Sequence, residues 1–166
     1  MKRTIKIILV LALVGGGVWL WRVLFPGDEV LIRRQLADLA EIASFPADEP
    51  PLAKLTNAAK VAAFFTVDAE IDIQPWGYRR MGLRGRDELR QAALGARNAM
   101  ASLSISAAHV EVKPSPVDER ATVRFTLIAS SNRNPERQSQ EMELEMSKAG
   151  GDWLIQRART VDYLAQ

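Results

Sequence analysis

The sequence predicts a single N-terminal transmembrane helix followed by one α+β domain, in which about three helices pack on a bent antiparallel sheet. Residues 5–25 are almost wholly apolar, which indicates the transmembrane helix. Residues 28–100 carry apolar side chains at helical spacing, and residues 103–160 change to the two-residue period of strands. Removing the first 25 of the 166 residues leaves 141, so residues 26–166 suffice for one ordinary domain and not for two.

The apolar segment at residues 5–25 has the length of a membrane anchor. Its uncharged run, residues 7–21, lies between Lys6 and Arg22, whose long side chains can reach the headgroups. At about 1.5 Å per residue the segment spans roughly 31 Å, which is close to the thickness of the hydrocarbon core of a bilayer. We therefore expect residues 1–25 to hold the protein in the membrane, with the lipid bilayer as the partner of residues 5–25.

Basic residues before the apolar run, Lys2 and Arg3 among them, place the N-terminus in the cytoplasm. The prediction is therefore a single-pass inner (cytoplasmic) membrane protein whose C-terminal domain is periplasmic or, more generally, extracytoplasmic. The alternative is a cleaved signal peptide, for which residues 15–17 would supply the small side chains. Apolar residues continue to Phe25 without an A-x-A-like cleavage site, which favours the uncleaved anchor. Both alternatives export the domain.

Charge and composition exclude several classes of function. Four of the 22 Lys and Arg residues lie within residues 1–25, and removing them leaves 18 against 20 Asp and Glu, so the exported part carries about −2. The basic total is thus no argument for a nucleic-acid partner, and none is expected. The chain has no cysteine and one histidine, which excludes disulfides, thiol nucleophiles and metal sites built from several Cys or His residues. No metal and no cofactor are predicted.

The first half of the domain predicts three amphipathic helices and one short strand. The helices are expected at residues 28–45, 52–65 and 87–100, and the strand at residues 69–74. Asp28 stands where it can cap the first helix. The second helix is expected to bury one apolar side, made of Leu55, Ala59, Ala62 and Phe65. The arginine-rich stretch before the third helix is expected to be a connection.

The second half predicts an antiparallel meander with one polar face. Apolar residues alternate through residues 103–107 and again through residues 110–112 with the opposite parity, so a β-bulge is expected near Ala108. A second long strand follows, and then a polar loop at residues 130–139. The next strand shows its polar side through Glu141, Glu143 and Glu145. A Gly-Gly turn leads into the last strand, where Trp153 is expected to join the core.

Four segments carry a resemblance to a known superfamily: TVDAEIDI, GLRGRDELRQAAL, HVEVKPSPVDERATVRFTL and GGDWLIQRART, at residues 66–73, 82–94, 109–127 and 150–160. In this order, across roughly residues 28–162, they resemble the nuclear transport factor 2-like superfamily, including its SnoaL-like members with a cystatin-like α+β cone. The resemblance implies a bent sheet wrapped around a helix, with a pocket at the wide end. It does not imply an activity, because the same cone serves isomerases, dehydratases, cyclases and binding modules.

Asp72, His109 and Tyr78 are the candidate catalytic residues. Isomerases with this cone use a buried carboxylate as base and a phenol as oxyanion donor, roles that Asp72 and Tyr78 could fill. His109 is the only histidine, and it lies at the predicted bulge, which can re-aim a side chain towards a pocket. The alternatives are structural: Asp72 can equally face water, and His109 can be a strand histidine without a role.

Arginines crowd the connection before the third helix, with five of them between Arg79 and Arg90. Guanidinium groups pair bidentately with phosphate or carboxylate, so an anionic ligand or anionic lipid headgroups would suit this stretch. The candidate ligand-binding residues are Arg79, Arg80, Arg84 and Trp76. The alternative is a solvated loop whose charge is balanced by neighbouring acidic residues.

The favoured function is that of a membrane-anchored, exported binding or protein-interaction module that is not catalytic, because no assembled catalytic set follows the anchor. One alternative is a small-molecule isomerase or dehydratase that uses a pocket carboxylate. Another is a subunit of an envelope assembly or secretion complex, since similar domains behind one membrane helix occur there. A protein partner, or a second copy of the chain in a homodimer, would bind through the sheet.

Overall fold

The structure, a computed structural model, describes residues 27–74, 80–115 and 117–161. The predicted membrane anchor at residues 5–25 lies outside these ranges. Within them, no helix combines the length and the apolar character that crossing a membrane requires.

Three helices lie in the described part of the chain, close to where the sequence predicts them. They are α1 (Asp28–Ala43), α2 (Pro51–Ala63) and α3 (Gly85–Ala99). The prediction that Asp28 caps α1 is wrong, because Gly27 holds the cap position and Asp28 is the first helical residue. Its carboxylate still lies in the first turn, where a negative charge favours the helix dipole. There it accepts hydrogen bonds from Lys148 at 2.8 Å and from Trp153 at 3.2 Å.

The buried side of α2 differs from the prediction. Ala58 and Ala62 are each 1% exposed, whereas Leu55 is 54% exposed. Small alanine side chains let α2 pack closely against α3 and α1, and the bulkier Leu55 is turned to the outside. Phe65 is buried as predicted, but from the first position of a strand and not from the helix.

In the described ranges, six strands form one sheet in the order β2-β1-β6-β5-β4-β3. The strands are β1 (Phe65–Ile73), β2 (Met81–Arg84), β3 (Leu103–Ser115), β4 (Arg120–Ser131), β5 (Gln138–Ala149) and β6 (Asp152–Thr160). Neighbouring strands are antiparallel except β1 and β6, which run parallel. The prediction of a wholly antiparallel sheet is wrong at this pair. The first strand joins the last one, a long-range pairing that local alternation does not encode.

Strand β2 and the predicted polar loop also correct the sequence analysis. The arginine-rich connection contains β2, which pairs with β1 at the edge of the sheet. Its four residues, MGLR, are too few to show a two-residue period. The loop predicted at residues 130–139 is shorter, because β4 continues to Ser131 and β5 begins at Gln138.

The predicted bulge in β3 is confirmed. The pairing of β3 with β4 shifts register between Ala108 and Glu111, and His109 within that shift has a φ of 50°. A positive φ is uncommon for a residue with a side chain, and a bulge is one of the few places in a strand that accept it. The bulge reverses which side chains of β3 face the helices.

All three helices lie on one face of the sheet, and the core fills the space between the two layers. Ile32 of α1, Val123 of β4 and Ile155 of β6 are at most 1% exposed, and Trp153 is 2% exposed, as predicted for a core residue. The opposite face of the sheet, called the outer face below, carries the polar side chains of the same strands. The layered α+β architecture predicted from the sequence is thus confirmed.

An ion pair between α3 and the α1–α2 connection is buried. Arg97 of α3 is 1% exposed, and its Nη1 donates to Oε1 of Glu49 at 2.5 Å. Its Nη2 donates to the carbonyl oxygen of Ile42 at the end of α1, and its guanidinium lies 4.8 Å from the ring centroid of Phe45. Asn57 of α2 also donates to Glu49, at 2.8 Å. A single arginine therefore ties the α1–α2 connection to α3.

Burial of Glu49 would by itself raise the pKa of its carboxyl group. Hydrogen bonds from Asn57 and Arg97, together with the positive charge of Arg97, outweigh burial and hold that pKa below its ordinary value. The second carboxylate oxygen, Oε2, is buried and has no hydrogen-bond partner among the described residues. Glu49 therefore depends on the guanidinium for compensation of its charge.

We expect Arg97→Met to lower the free energy of unfolding by about 3 kcal/mol, because it leaves the Glu49 carboxylate buried without its counter-ion. Chemical denaturation measures this. Arg90→Met, on the exposed side of the same helix, is the matched control and should change stability by less than about 0.5 kcal/mol. The double variant Arg97→Met/Glu49→Leu should be more stable than Arg97→Met alone. A double variant as unstable as the sum of the two single variants would show that the pair is not coupled.

Candidate functional site

An open cavity lies at the end of the sheet where α3 ends, and it is called the mouth cavity below. Its volume is about 1080 Å³. Its apolar wall comes from the inward faces of the strands and from the end of α3, through Ile73, Met81, Met100, Leu103, Ile105, Leu127 and Ala129. Leu127 and Ala129 continue the inward parity of the core residue Val123. The mouth cavity is therefore an uncovered extension of the core.

Polar side chains line the rim of the mouth cavity. They come from the β1–β2 and β4–β5 connections and the adjoining strand ends, namely Arg80, Ser130, Ser131, Arg133, Asn134 and Gln138. Among the described lining residues, two arginines are the only ionisable side chains, and none is Asp, Glu, His, Lys or Tyr. That lining provides positive charge and hydrogen-bond donors but no carboxylate, imidazole, amine or phenol to act as a general acid or base. The apolar wall inside this rim suits the binding of an apolar molecule.

Asp72 lies on the outer face of the sheet and not in the mouth cavity. The alternation of β1 turns its neighbour Ile73 inward to the cavity wall, while the Asp72 side chain is 52% exposed and pairs with Nε of Arg80 at 2.9 Å. The predicted candidates Tyr78, Trp76 and Arg79 lie outside the described residues.

Of the predicted arginines, Arg80 lines the mouth cavity and also a polar cleft on the outer face, so it stands at their junction. Arg84 lines only the polar cleft, where it lies 3.7 Å from Glu70. The structure thus brings Arg80 and Asp72 together, and it places Arg84 at a neighbouring position on the same face. These placements do not test the roles predicted for Asp72, Arg80 and Arg84, which stay predictions.

His109 also lies on the outer face, at the bulge of β3. Its Nδ1 is 3.4 Å from the hydroxyl oxygen of Thr126, which in turn donates to Glu141 at 2.5 Å. The bulge turns the His109 side chain to the outer face, where it is exposed, and His109 does not line the mouth cavity. His109 and Asp72 are therefore not parts of one site with the cavity.

The glutamates of β5, which the sequence places on a polar sheet face, take part in a network of ion pairs. Glu143 is 4% exposed, beneath Arg124 of β4 at 2.7 Å and Arg159 of β6. Arg157 bridges Glu145 at 3.3 Å and Glu70 at 3.4 Å. Part of this network could be predicted from the sequence. A β5–β6 hairpin closed by the Gly-Gly turn places glutamates of β5 opposite arginines of β6.

The pKa of Glu143 lies below its ordinary value. Burial of the carboxyl group acts to raise this pKa, but hydrogen bonds from Arg124 and Arg159 and the charges of both guanidinium groups outweigh burial. The ionised carboxylate is the form that the outer face stabilises. The network is therefore a structural feature that fastens β4, β5 and β6 together.

The bent sheet, the helices on one face and the open end define the class of proteins with a cystatin-like, nuclear transport factor 2-like fold. The chain belongs to the SnoaL-like domain family, whose family model matches residues 34–159. No curated protein matches the chain in sequence. The resemblance expected from the four sequence segments is confirmed.

Solved structures from Novosphingobium aromaticivorans share the fold. A candidate scytalone dehydratase has a TM-score of 0.61 and 19% identity, over 84% of this chain and 89% of that chain. A nuclear transport factor 2-like protein with a cystatin-like fold has a TM-score of 0.63 and 14% identity, over 84% of each chain. A candidate aromatic ring hydroxylase has a TM-score of 0.62 and 17% identity, over 84% and 90%. At these identities the likeness establishes the fold alone.

The ionised state of Glu143 makes stability depend on pH in a defined direction. A carboxyl group whose pKa is lower in the folded state contributes stability above its unfolded pKa of about 4.3 and loses it as the pH falls through the folded pKa. We expect Glu143→Gln to be less stable than the wild type by about 1–2 kcal/mol at pH 7. This difference should stay constant down to about pH 5 and shrink below about pH 4.

Denaturant unfolding across this pH range measures the difference. Glu145→Gln is the matched control, because it removes the next carboxylate on the same face, whose side chain is 42% exposed. It should have a smaller effect at pH 7. A Glu143→Gln difference that is independent of pH from 7 to 3 would contradict the assignment.

Proposed function

We propose that the domain binds a small, mostly apolar molecule in the mouth cavity. The observation that carries the proposal is an apolar wall of strand and helix residues with a polar rim, around a volume of about 1080 Å³. Pockets for small organic ligands are concave, mainly apolar and equipped with a few convergent polar groups. The outer cleft is less suited, because its carboxylates Glu70 and Asp72 already pair with arginines.

Backbone hydrogen bonds and neighbouring strands hold the wall of the mouth cavity in place. Leu103 exchanges two backbone hydrogen bonds with Phe45, at 2.8 and 3.0 Å, and Phe45 packs under the guanidinium of Arg97. Leu127 and Ala129 belong to β4, which is hydrogen-bonded to β3 on one side and to β5 on the other. A wall fixed by these contacts loses little conformational entropy on binding, which supports binding at this position.

Catalysis is the second candidate, favoured by the names of two relatives, a candidate dehydratase and a candidate ring hydroxylase. In this chain an acid or base would have to reach the cavity from the junction with the outer face. Asp72, through its contact with Arg80, and Tyr78 in the same connection are the residues to test. Binding is preferred because the described lining holds no carboxylate or imidazole.

We further propose that residues 5–25 anchor the domain in the inner membrane, with the mouth cavity turned away from the bilayer. Asp28 is the start of the domain and binds Lys148, near the end of β5, whereas Gln138, at the other end of that strand, lines the mouth. The ten residue steps from Gln138 to Lys148 at about 3.3 Å each separate these two residues by roughly 33 Å. A ligand would then enter from the aqueous compartment.

We expect the neutral fluorescent probe N-phenyl-1-naphthylamine, added to the full-length protein in detergent micelles, to give a blue-shifted emission stronger than that from protein-free micelles. Ala99→Phe, which adds a ring to the cavity lining, should weaken binding by about tenfold, since even 1.4 kcal/mol of lost contact has this effect. Fluorescence titration measures the affinity. Protein-free micelles are the control for partition of the probe into the detergent. Ala37→Phe, on the exposed side of α1, is the control for the added ring and for stability, and it should bind as the wild type does.

Equal binding by the wild type and Ala99→Phe would contradict a site in the mouth cavity. Conversion of an aromatic or polycyclic compound by the folded protein, with loss of turnover in Asp72→Asn, would favour the catalytic candidate over simple binding.

The anchor proposal is tested on membranes. We expect the full-length protein to stay in the membrane pellet after alkaline carbonate extraction, because its apolar run matches the bilayer core. Leu11→Arg/Leu13→Arg, which places two charges in that run, should release the protein or prevent its insertion. Leu11→Ile/Leu13→Ile is the conservative control. A wild-type protein in the soluble fraction, or a mature N-terminus beyond residue 17, would show cleavage and not anchoring.

A further inference from the structure

We propose that the ligand of the mouth cavity carries one carboxylate, bound at the rim by Arg133 with Arg80 as a second contact. The proposal rests on the proposed function, since it assigns a chemical class to a molecule that binds in this cavity. It adds a residue, Arg133, that the sequence analysis does not single out. It also orients the ligand, with the apolar body inside the cavity and the charged end at the rim.

Arg133 is fixed at the rim by a neutral partner. One of its terminal nitrogens, Nη2, donates to the carbonyl oxygen of Ala99 at 2.6 Å, and Ala99 is the last residue of α3. A helix end presents carbonyl groups without intrahelical partners, so this bond serves as a cap. A guanidinium has five N–H donors in a rigid plane, and this contact uses one nitrogen. Its positive charge meets no carboxylate in that contact.

The segment that carries Arg133 is tied to the helix end by a second residue. The side-chain oxygen of Asn132 accepts hydrogen bonds from the backbone N–H groups of Ala101 at 2.9 Å and Ser102 at 3.3 Å. The turn is closed by two backbone bonds between Ser131 and Asn134, at 2.9 and 3.1 Å. Arg133 therefore stands on an ordered turn, and little conformational entropy is lost when it binds an anion.

Arg80 contributes less net charge than Arg133. Its Nε is 2.9 Å from Asp72, and both side chains are more than half exposed, which screens their interaction with each other and with a ligand. Two guanidinium groups and one carboxylate leave about one net positive charge at the rim. That balance matches a monoanion such as a carboxylate, whose two oxygens fit a guanidinium bidentately. An amine would be repelled by Arg133.

The ligand class thus has two parts. The apolar wall takes a flat or branched hydrocarbon body, and the rim takes a carboxylate attached to one end of it. Arg133 is exposed, so water screens part of its attraction for the carboxylate, and the charged contact adds a modest preference to the binding of the apolar body. Neither part alone defines the class, because hydrocarbons lack the charge and short polar acids lack the body.

The test compares 2-naphthoate with 2-naphthamide, its neutral counterpart of nearly equal shape, on the full-length protein by calorimetry at pH 7. We expect the wild type to bind the carboxylate about tenfold more tightly, as charge-assisted hydrogen bonds imply. Arg133→Gln should reduce this preference to about twofold while 2-naphthamide binds as before. Arg80→Gln should reduce it less. Arg137→Gln, an exposed arginine of the same connection that does not line the cavity, should keep it.

The unchanged affinity of Arg133→Gln for 2-naphthamide serves as its folding control, and Arg133→Lys should retain part of the preference because it keeps the charge. Equal binding of the two compounds by the wild type, or an undiminished preference in Arg133→Gln, would overturn the inference and leave the proposed function intact. If neither compound bound and N-phenyl-1-naphthylamine also failed to bind, the cavity would not be a ligand site and both proposals would fall.

Discussion

Burial of one face of the sheet beneath the helices is the constraint on which the rest of the domain depends. Because side chains alternate along a strand, placing Val123 and Phe125 of β4 in the core sends Arg124 between them to the outer face. There it meets Glu143 of β5. The polar network on the outer face is therefore a consequence of core packing, and it adds charged hydrogen bonds between strands that the core already holds in register.

The same alternation separates the two regions that carry the candidate residues. Ile73 belongs to the wall of the mouth cavity, and Asp72, one position earlier, must face the other way. His109 would follow the parity of the inner face without the bulge, and the register shift turns it outward instead. Arg80 borders both regions because it precedes β2 at the edge of the sheet. A residue at the sheet edge can therefore contact groups on both faces.

The sequence predicts what depends on local period and misses what depends on long-range contact. The three helices, the long strands and the bulge near Ala108 all leave a pattern in neighbouring residues. The parallel pairing of β1 with β6 leaves none, and neither does the burial of Arg97, which reads as a polar residue at a helix end. Its partner Glu49 lies 48 positions away in a loop, so only the fold brings them together. Arg133 lies in a stretch that reads simply as polar loop, and its position at the rim follows from the way β4 and α3 end side by side.

The mouth cavity exists because the helices leave part of the inner sheet face uncovered near the end of α3. α3 ends at Ala99, beside the end of β4, and β4 keeps apolar side chains on its inner face through Ala129. Apolar surface left without a covering element either collapses, recruits another element or stays open for a ligand. Collapse is opposed here, because Phe45 and Leu103 pair through their backbones and Arg97 holds Phe45 from the other side. The buried ion pair thereby supports the open cavity as well as the core, which links the stability of the fold to the shape of the cavity.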